Sequence, residues 1–267
     1  MDNVLPPNRT KPKKTFSVKT WAGGAEGEKM LLYGKSGMGK TSLASMAPGA
    51  VFIGLDDGGR KINNPKTGEP LQFIDGITTF DDVRDALRTP GLLANHETLV
   101  VDTITVLESL AMAYTLKTVA GPQNKPATNV ESYGFGKGYR HLFDSMALVL
   151  QDCDPLVRAG KNILFIAQSK AARVANPGGE DYLQDTPSLF SGNPSIAALY
   201  IEWCDHVLAL RYNDLKVEHK KVAGGQRVIV TTPEPYFEAK SRTLKEPVIS
   251  FDSVEDDSVW TFLFGGK

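Results

Sequence analysis

The chain alternates between short, wholly apolar runs and longer segments of helical pattern. The apolar runs have the length and composition of strands buried on both faces, and they are residues 30–33, 50–55, 98–102 and 162–167. The segments between and after them predict helices, and they are residues 80–87, 104–119, 139–151 and 195–203. Thr78 or Thr79 would cap the first of these helices. This alternation predicts an α/β fold with a mainly parallel central sheet flanked by helices.

The C-terminal part of the chain has strand patterns that follow one another without helices. Residues 206–212, 227–232 and 236–241 predict strands, and the apolar run 259–264 predicts an edge strand. We therefore expect an antiparallel extension of the sheet near the C-terminus.

Two segments show neither the strand pattern nor the helix pattern. Residues 120–138 and 169–194 are rich in glycine and proline and predict long loops. Loops of this length inside a compact domain are usually functional or disordered.

The domain organisation follows from where these patterns begin. Residues 29–267 predict one α/β domain, and residues 1–28 predict a flexible basic N-terminal arm with several prolines. The arm is either a solvated tail or a contact for nucleic acid or a neighbouring subunit. Within it, residues 15–19 alternate in polarity and predict a short strand or docking segment.

Composition excludes several classes of protein. The 267 residues are 41% hydrophobic and 23% charged with a formal net charge of −1, so any nucleic-acid surface must be local. Cys153 and Cys204 lack metal-ligand spacing, which argues against a disulfide scaffold or a zinc site. No apolar stretch has the length of a signal peptide core or a membrane span, and we expect a soluble cytoplasmic protein.

The most specific motif is GKSGMGKT at residues 34–41, between a predicted strand and a predicted helix. It matches the phosphate-binding loop G-x-x-x-x-G-K-[ST], in which glycines let backbone N–H groups face the phosphates and the helix N-terminus adds positive charge. Lys40 would contact the β- and γ-phosphates of ATP, and Thr41 would ligate Mg²⁺. The predicted nucleotide-binding residues are Gly34, Lys35, Ser36, Gly37, Met38, Gly39, Lys40, Thr41 and Ser42.

Polar residues follow three other predicted strands. Asp56 and Asp57 come after the run 50–55, Asp102 ends the run 98–102, and Gln168 follows the run 162–167. Because ligands of open α/β sheets bind beyond the carboxyl ends of the strands, we expect these side chains near the triphosphate. Asp102 would hold Mg²⁺ together with Thr41.

These motifs together resemble a known family. Beside the loop at 34–41, the segments TLVVDT (98–103), NILFIAQSK (162–170), 193–211 and EAKSR (238–242) resemble RecA-like P-loop ATPases. Within that group the chain is similar to phage-type single-strand annealing recombinases of the Sak-four type, over roughly residues 29–245. The resemblance implies a RecA-like core and an ATPase that binds single-stranded DNA and promotes annealing or exchange as a ring or filament.

The resemblance also implies roles for individual residues. Asp56 would activate the attacking water, although the family usually has glutamate there, so hydrolysis would be slow or Asp57 would share the role. Gln168 would sense the γ-phosphate, or alternatively only end a strand. Lys240 and Arg242 would reach a neighbouring subunit's ATP, or alternatively are two exposed residues on one face of a strand.

The two long loops match in order the loops that line the DNA path in RecA-like filaments. Cations in or beside them would neutralise phosphates and aromatic rings would stack on bases, although each is also typical of a solvated surface. The predicted DNA-binding residues are Lys125, Tyr133, Phe135, Lys137, Arg140, Lys170 and Arg173.

Departures from other classes narrow the prediction. Asp102 is followed by Thr103 rather than glutamate, which argues against the AAA+ class, and no arginine-rich lid indicates a nucleotide kinase. We predict a Mg²⁺- and ATP-dependent DNA recombination protein whose partners are single-stranded DNA, further copies of itself and a single-strand-binding protein. If phage-encoded, it would act in the host cytoplasm. The alternatives are a non-catalytic ATP-liganded binding module and a RecA-like helicase or motor.

Overall fold

The computed structural model describes residues 17–18, 26–213, 215–218 and 221–265. The predicted arm at 1–28 and the predicted strand at 15–19 lie almost entirely outside the described residues, so the domain boundary at residue 29 stays a prediction. Within the described residues, no helix is both long and apolar enough to cross a membrane.

One large sheet organises the described part of the chain. Its strands are β1 Lys29–Gly34, β2 Ala50–Gly54, β3 Thr98–Asp102, β4 Asn162–Val174, β5 Tyr182–Pro187, β6 His206–Tyr212, β9 Arg227–Val230, β10 Lys240–Ser241 and β11 Val248–Ser250. Their order in the sheet is β11–β9–β6–β1–β4–β3–β2, with β10 also paired to β6 and β5 to β4. A separate antiparallel pair comprises β7 Leu215–Glu218 and β8 Lys221–Gly224.

The strand directions confirm the predicted fold class. Strands β2, β3, β4, β1 and β6 are mutually parallel, and β9, β10 and β11 extend the sheet in antiparallel fashion. The central strands are buried on both faces, as their uninterrupted apolar sequences require.

Helices cover both faces of the sheet. They are α1 Lys40–Ser45, α2 Phe80–Arg88, α3 Ile104–Thr118, α4 Lys137–Arg158, α5 Ile196–Trp203 and α6 Ser258–Phe264. Helices α2, α3, α4 and α5 contribute to one apolar core with Leu31 and Tyr33 of β1. Helices α1 and α6 contribute to the core on the other face with Met30 and Leu32, so the alternation along β1 divides the two cores.

Local sequence explains where the helices begin. Thr79 caps α2 in a capping box with Asp82, whose side chain bonds back to the backbone N–H of Thr79 at 2.7 Å. Thr103 caps α3 through its hydroxyl and the N–H of Val106 at 3.3 Å. The predicted helical segments are therefore confirmed, with α4 longer at both ends than its sequence pattern indicated.

The prediction of a long loop at residues 169–194 is wrong. Strand β4 continues past the parallel sheet to Val174 and pairs with β5 as an antiparallel hairpin, from Ser169 opposite Pro187 to Val174 opposite Tyr182. The exposed positions of the hairpin strands are Ala171, Arg173 and Leu183, whereas Lys170 and Gln184 are half-buried. Because polarity does not follow burial along these strands, the sequence shows no strand pattern here.

Three further expectations need correction. The edge strand predicted at 259–264 is helix α6, which buries Val259, Trp260 and Leu263 against α1, because short apolar runs do not distinguish helix from strand. The strand predicted at 236–241 contains ladder pairs only at β10. The loop predicted at 120–138 contains two short 3₁₀ helices, Pro122–Asn124 and Val130–Tyr133, before α4 begins.

Helix α6 fixes the short helix that follows the phosphate loop. The indole Nε1 of Trp260 donates to the carbonyl of Leu43 at 2.7 Å, and the Trp260 side chain is 2% exposed. We predict that Trp260→Phe lowers the free energy of unfolding by about 1–3 kcal/mol, because one hydrogen bond and part of a buried ring are lost.

Urea unfolding measures this change. Phe262→Leu on the same helix is the control, since Phe262 is half exposed and its replacement should shift the midpoint little. Equal midpoints for Trp260→Phe and wild type would contradict this account of α6.

Candidate nucleotide site

The strand register brings the predicted site residues to one edge of the sheet. Gly34 at the end of β1 pairs with Gln168 in β4, and Asp102 at the end of β3 pairs with Ile166 two residues earlier in β4. The carboxyl ends of β1 and β3 therefore converge with the last parallel-paired residue of β4 where the phosphate loop begins.

Lys40 is the first residue of α1 and is only 6% exposed. Its Nζ donates to the carbonyls of Gly34 at 2.8 Å and Lys35 at 2.9 Å, and to Oε1 of Gln168 at 3.1 Å. Burial lowers the pKa of Lys40, while the nearby carboxylates of Asp102 and Asp56 act in the opposite direction. Lys40 and Gln168, each expected near a triphosphate, are thus in direct hydrogen-bond contact.

Close packing explains the first glycine of the loop. A Cβ on Gly34 would lie 2.5 Å from the carbonyl oxygen of Leu210 in the adjacent strand β6. Because real Cβ atoms do not approach backbone oxygens so closely, any side chain at position 34 would displace β6 or the loop.

Thr41 and Asp102 meet at the predicted metal position. The Thr41 hydroxyl donates to Oδ2 of Asp102 at 2.7 Å. Desolvation raises the pKa of Asp102 to about 6, and the Asp56 carboxylate adds to the rise, whereas the Thr41 hydrogen bond and the charge of Lys40 oppose it.

A hydroxyl and a carboxylate are ligands that suit Mg²⁺. This ion usually takes one or two protein oxygens and completes its shell with water and nucleotide phosphates. Among the described residues, no group of three or more His, Cys, Asp and Glu side chains is arranged to hold a metal. The chemistry of the pair therefore fits Mg²⁺ delivered with a nucleotide rather than a closed protein cage.

Asp56 lies beside this pair but has another partner. It caps the 3₁₀ helix Asp57–Lys61, where its carboxylate accepts the N–H of Gly58 at 2.9 Å. A cavity of about 420 Å³ has Asp56 and Asp102 on its wall. Asp56 is exposed to solvent, whereas Asp102 is buried. The side chain of Asp57 lies outside the described residues.

Gln168 connects the nucleotide edge to the β4–β5 hairpin. Its backbone N–H donates to the hydroxyl of Thr105 at 3.2 Å, and its carbonyl accepts the N–H of Ser188 at 2.7 Å. Gln168 therefore directly precedes Ser169, where the hairpin pairing begins.

Lys240 and Arg242 lie far from the phosphate loop of their own chain. Lys240 donates to the carbonyl of Ile201 at 2.8 Å near the end of α5, and Arg242 pairs with Asp205 at 2.9 Å. Asp205 precedes β6, and Gly34 pairs with Leu210. At about 3.3 Å per residue, Arg242 is anchored about 16 Å along the sheet from the phosphate loop.

The structure separates the seven predicted DNA-binding residues into two groups. Lys125, Phe135 and Lys137 are exposed. The other four have partners in their own chain, and they are Tyr133, Arg140, Lys170 and Arg173.

Tyr133 is not available to stack on bases, contrary to the prediction. It is 5% exposed and its hydroxyl donates to the carbonyls of Val119 at 2.8 Å and Thr115 at 3.2 Å. Its ring also packs on His141. The sequence pattern of alternating basic and aromatic residues could not distinguish this core residue from a surface one.

The three cations of this group are engaged but differ in exposure. Lys170 donates to the carbonyl of Leu189 and to Oγ of Ser191, so it fixes the segment after the hairpin. Arg173 pairs with Asp181 at 2.9 Å across the hairpin and Arg140 with Asp144 at 3.1 Å along α4. Both arginine side chains remain mostly exposed, so a phosphate would compete with a surface ion pair.

Sequence reasoning missed two residues that contact the loop and its helix. Arg227 of β9 donates to the carbonyl of Met38 at 3.0 Å, and Trp260 donates to Leu43 in α1. Both are remote in sequence and belong to no motif, so no pattern in the chain identified them.

Comparison with known proteins shows which family the sequence matches. The AAA domain family matches residues 26–243. Among solved structures, a KaiC-like protein from the hyperthermophilic archaeon Pyrococcus horikoshii OT3 matches with 13% identity and a TM-score of 0.41, covering 85% of this chain and 90% of that one. No curated protein matches the chain. The match is to an AAA domain family, although the acidic pair expected of the AAA+ class is absent, since Thr103 follows Asp102.

The raised pKa of Asp102 predicts a pH-dependent metal site. A proton competes with Mg²⁺ for this carboxylate, so the Mg²⁺-dependent part of ATP-analogue affinity should fall about tenfold between pH 7 and pH 5. Calorimetric titrations at both pH values, with and without Mg²⁺, measure the effect.

Asp102→Asn is the control, because its amide does not titrate. The variant should bind more weakly at both pH values and retain only the pH dependence of the analogue itself. An equal decline in wild type and variant would show that Asp102 does not titrate at the metal position.

Proposed function

The chain belongs to the AAA domain family of P-loop ATPases, and on that premise we propose that it uses MgATP to bind single-stranded DNA. In this proposal it promotes annealing or strand exchange as an oligomer of the phage-type, RecA-like recombinase group. The observation that carries the nucleotide part is the set of hydrogen bonds from buried Lys40 to Gly34 of β1, to Lys35 of the loop and to Gln168 of β4. The DNA and oligomer parts rest on the surface features described below.

Lys40 and Gln168 supply the phosphate contacts in this mechanism. Lys40 would exchange its bonds to the Gly34 and Lys35 carbonyls for bonds to the β- and γ-phosphates, and Gln168 would then be freed to meet the γ-phosphate. Thr41 and Asp102 would hold Mg²⁺, which neutralises charge on the phosphate oxygens. Asp56 would accept a hydrogen bond from the attacking water once its cap on Gly58 is given up.

An exposed aromatic residue supports the DNA part of the proposal. Phe135 is fully exposed and has a φ of 50°, between Gly134 at 73° and Gly136 at 72°. A left-handed phenylalanine presented to solvent is unfavourable in itself, and such residues concentrate at ligand contacts. Lys137 follows at the first position of α4, so a ring for a base and a cation for a phosphate are adjacent.

The position of Lys240 and Arg242 supports the oligomer part. Both are anchored at the sheet edge opposite their own phosphate loop, so any role at ATP must be at the site of another copy. Arg242 has a side chain that is 62% exposed, and its pairing with Asp205 is a surface ion pair that a phosphate could replace. A cation supplied from a neighbour would stabilise charge on the transferring phosphoryl group.

A second candidate is a non-catalytic module in which ATP is a structural ligand. The observation that favours it is Asp56, a short carboxylate that is exposed and caps the 3₁₀ helix Asp57–Lys61. In that case Lys40→Ala would abolish DNA annealing, whereas Asp56→Ala would leave annealing intact.

The recombinase proposal predicts that single-stranded DNA stimulates ATP hydrolysis. We expect at least about a tenfold rise in rate with a mixed-sequence oligonucleotide, a change of about 1.4 kcal/mol in the activation barrier. Lys40→Ala should show no hydrolysis under either condition. Equal rates with and without DNA for a wild-type protein that binds ATP would overturn the DNA part of the proposal.

Phe135→Ala separates DNA binding from nucleotide binding in the same assay. It should lose most of the stimulation while its rate without DNA stays that of wild type, since base stacking contributes about 1–3 kcal/mol. Phe262→Ala is the matched control, because Phe262 is another exposed aromatic residue, 51% exposed on helix α6. Equal losses for both variants would remove Phe135 from the DNA surface.

The oligomer part predicts complementation between defective subunits. Arg242→Ala lacks the cation and Lys40→Ala lacks the phosphate contact, so a mixed oligomer contains some complete sites. We expect mixtures to hydrolyse ATP faster than either variant alone, up to about a quarter of the wild-type rate for random pairing. Verified co-assembly without any recovery would exclude a role of Arg242 across the interface.

A further inference from the structure

The phosphate loop rests on a platform supplied by the C-terminal extension. Arg227, the first residue of β9, donates through Nη1 to the Met38 carbonyl at 3.0 Å and through Nη2 to the Asp252 carbonyl at 3.4 Å. Its guanidinium carbon lies 4.6 Å from the centre of the Phe251 ring. The backbone of Phe251 in turn donates to the Arg227 carbonyl at 2.9 Å, so the two residues form one unit.

This unit contacts the loop at the peptide between Met38 and Gly39. A Cβ on Gly39 would lie 3.1 Å from Nη1 of Arg227 and 3.2 Å from the Phe251 ring. Gly39 also has a φ of 98°, which side chains disfavour. The glycine at position 39 therefore serves two needs, its backbone conformation and the close approach of Arg227.

The direction of the Met38 carbonyl determines the direction of the next N–H. The peptide between Met38 and Gly39 is trans, since the cis peptides are at Asp102–Thr103 and Asn193–Pro194 in the described residues. In a planar trans peptide the C=O and N–H point in opposite directions. By holding the Met38 oxygen on its own side, Arg227 turns the Gly39 N–H to the opposite side, away from the platform.

We propose that Arg227 is a positioning residue that orients the Gly39 N–H of the phosphate loop for the nucleotide phosphates. The inference rests on the proposed nucleotide function and adds to it a residue outside the loop motif. Because Arg227 belongs to β9, the antiparallel extension becomes part of the nucleotide site, although Arg227 and Met38 are 189 residues apart in sequence. Arg227 acts here through the backbone and not as a group that contacts the reacting atoms.

The geometry of the stack explains why arginine suits this position. A planar guanidinium can lie on the Phe251 ring and still present donors in two directions, to Met38 and to Asp252. A lysine ammonium is a point charge on a flexible chain, so it would hold the Met38 carbonyl less firmly.

The test compares nucleotide affinity in Arg227→Met, Arg227→Lys and wild type, using fluorescent ADP and ATP analogues. We expect Arg227→Met to bind both nucleotides about tenfold more weakly, because a phosphate-facing donor is no longer held in place. Arg227→Lys should lie between, about threefold weaker. The kcat at saturating ATP should stay near the wild-type value, since the reacting groups are intact.

Arg84→Met is the control for the loss of guanidinium contacts. Arg84 in α2 donates through Nε and Nη2 to the carboxylate of Asp152 in α4, at 2.6 and 3.4 Å, so its loss also removes two guanidinium hydrogen bonds, at a place away from the loop. We expect its melting temperature to fall at least as far as that of Arg227→Met while its affinity for ADP stays unchanged.

Two results would overturn the inference. The first is wild-type ADP affinity in folded Arg227→Met, and the second is an affinity loss in Arg84→Met equal to that in Arg227→Met. If Arg227→Met does not fold, wild-type ADP affinity in Arg227→Lys decides against it. Failure of wild type itself to bind ADP would instead reject the proposed nucleotide function, and an absence of DNA stimulation would leave this test unaffected.

Discussion

The burial of one ammonium group constrains the site more than any other interaction. Lys40 is nearly inaccessible to solvent, and its charge is met by two carbonyls of its own loop and the amide oxygen of Gln168. A buried cation without such oxygens would be strongly destabilising. The loop curvature and the pairing of Gly34 with Gln168 are therefore both conditions for keeping Lys40 where a phosphate can meet it.

Two carboxylates complete the charge balance around this cation. Asp102 is buried and bonded to Thr41, and Asp56 lies at the solvent-accessible margin. The pKa of Asp102 is raised and that of Lys40 is lowered, so both groups are less favourably charged than in water. A polyphosphate and a divalent cation would supply the opposite charge that each group lacks, which makes the site suited to their joint binding.

The sequence predicted the centre of the site because its information is local. The phosphate loop, the strand that ends in Asp102, the apolar run before Gln168 and the helix capped by Thr79 are each determined by a few neighbouring residues. What it missed depends on distant contacts: the β4–β5 hairpin, helix α6, the buried Tyr133 and the approach of Arg227 to Met38. Hydrophobic periodicity predicts whether a segment is a helix or a strand, but not what that segment packs against. In short apolar runs it does not distinguish a helix from a strand.

The most direct test of the account is an experimental structure with Mg²⁺ and a non-hydrolysable ATP analogue. The account predicts that Lys40 leaves the carbonyls of Gly34 and Lys35 for the β- and γ-phosphates. It also predicts that Thr41 and Asp102 face the metal and that Gln168 turns to the γ-phosphate. A nucleotide bound elsewhere, with Lys40 still on both carbonyls, would contradict it.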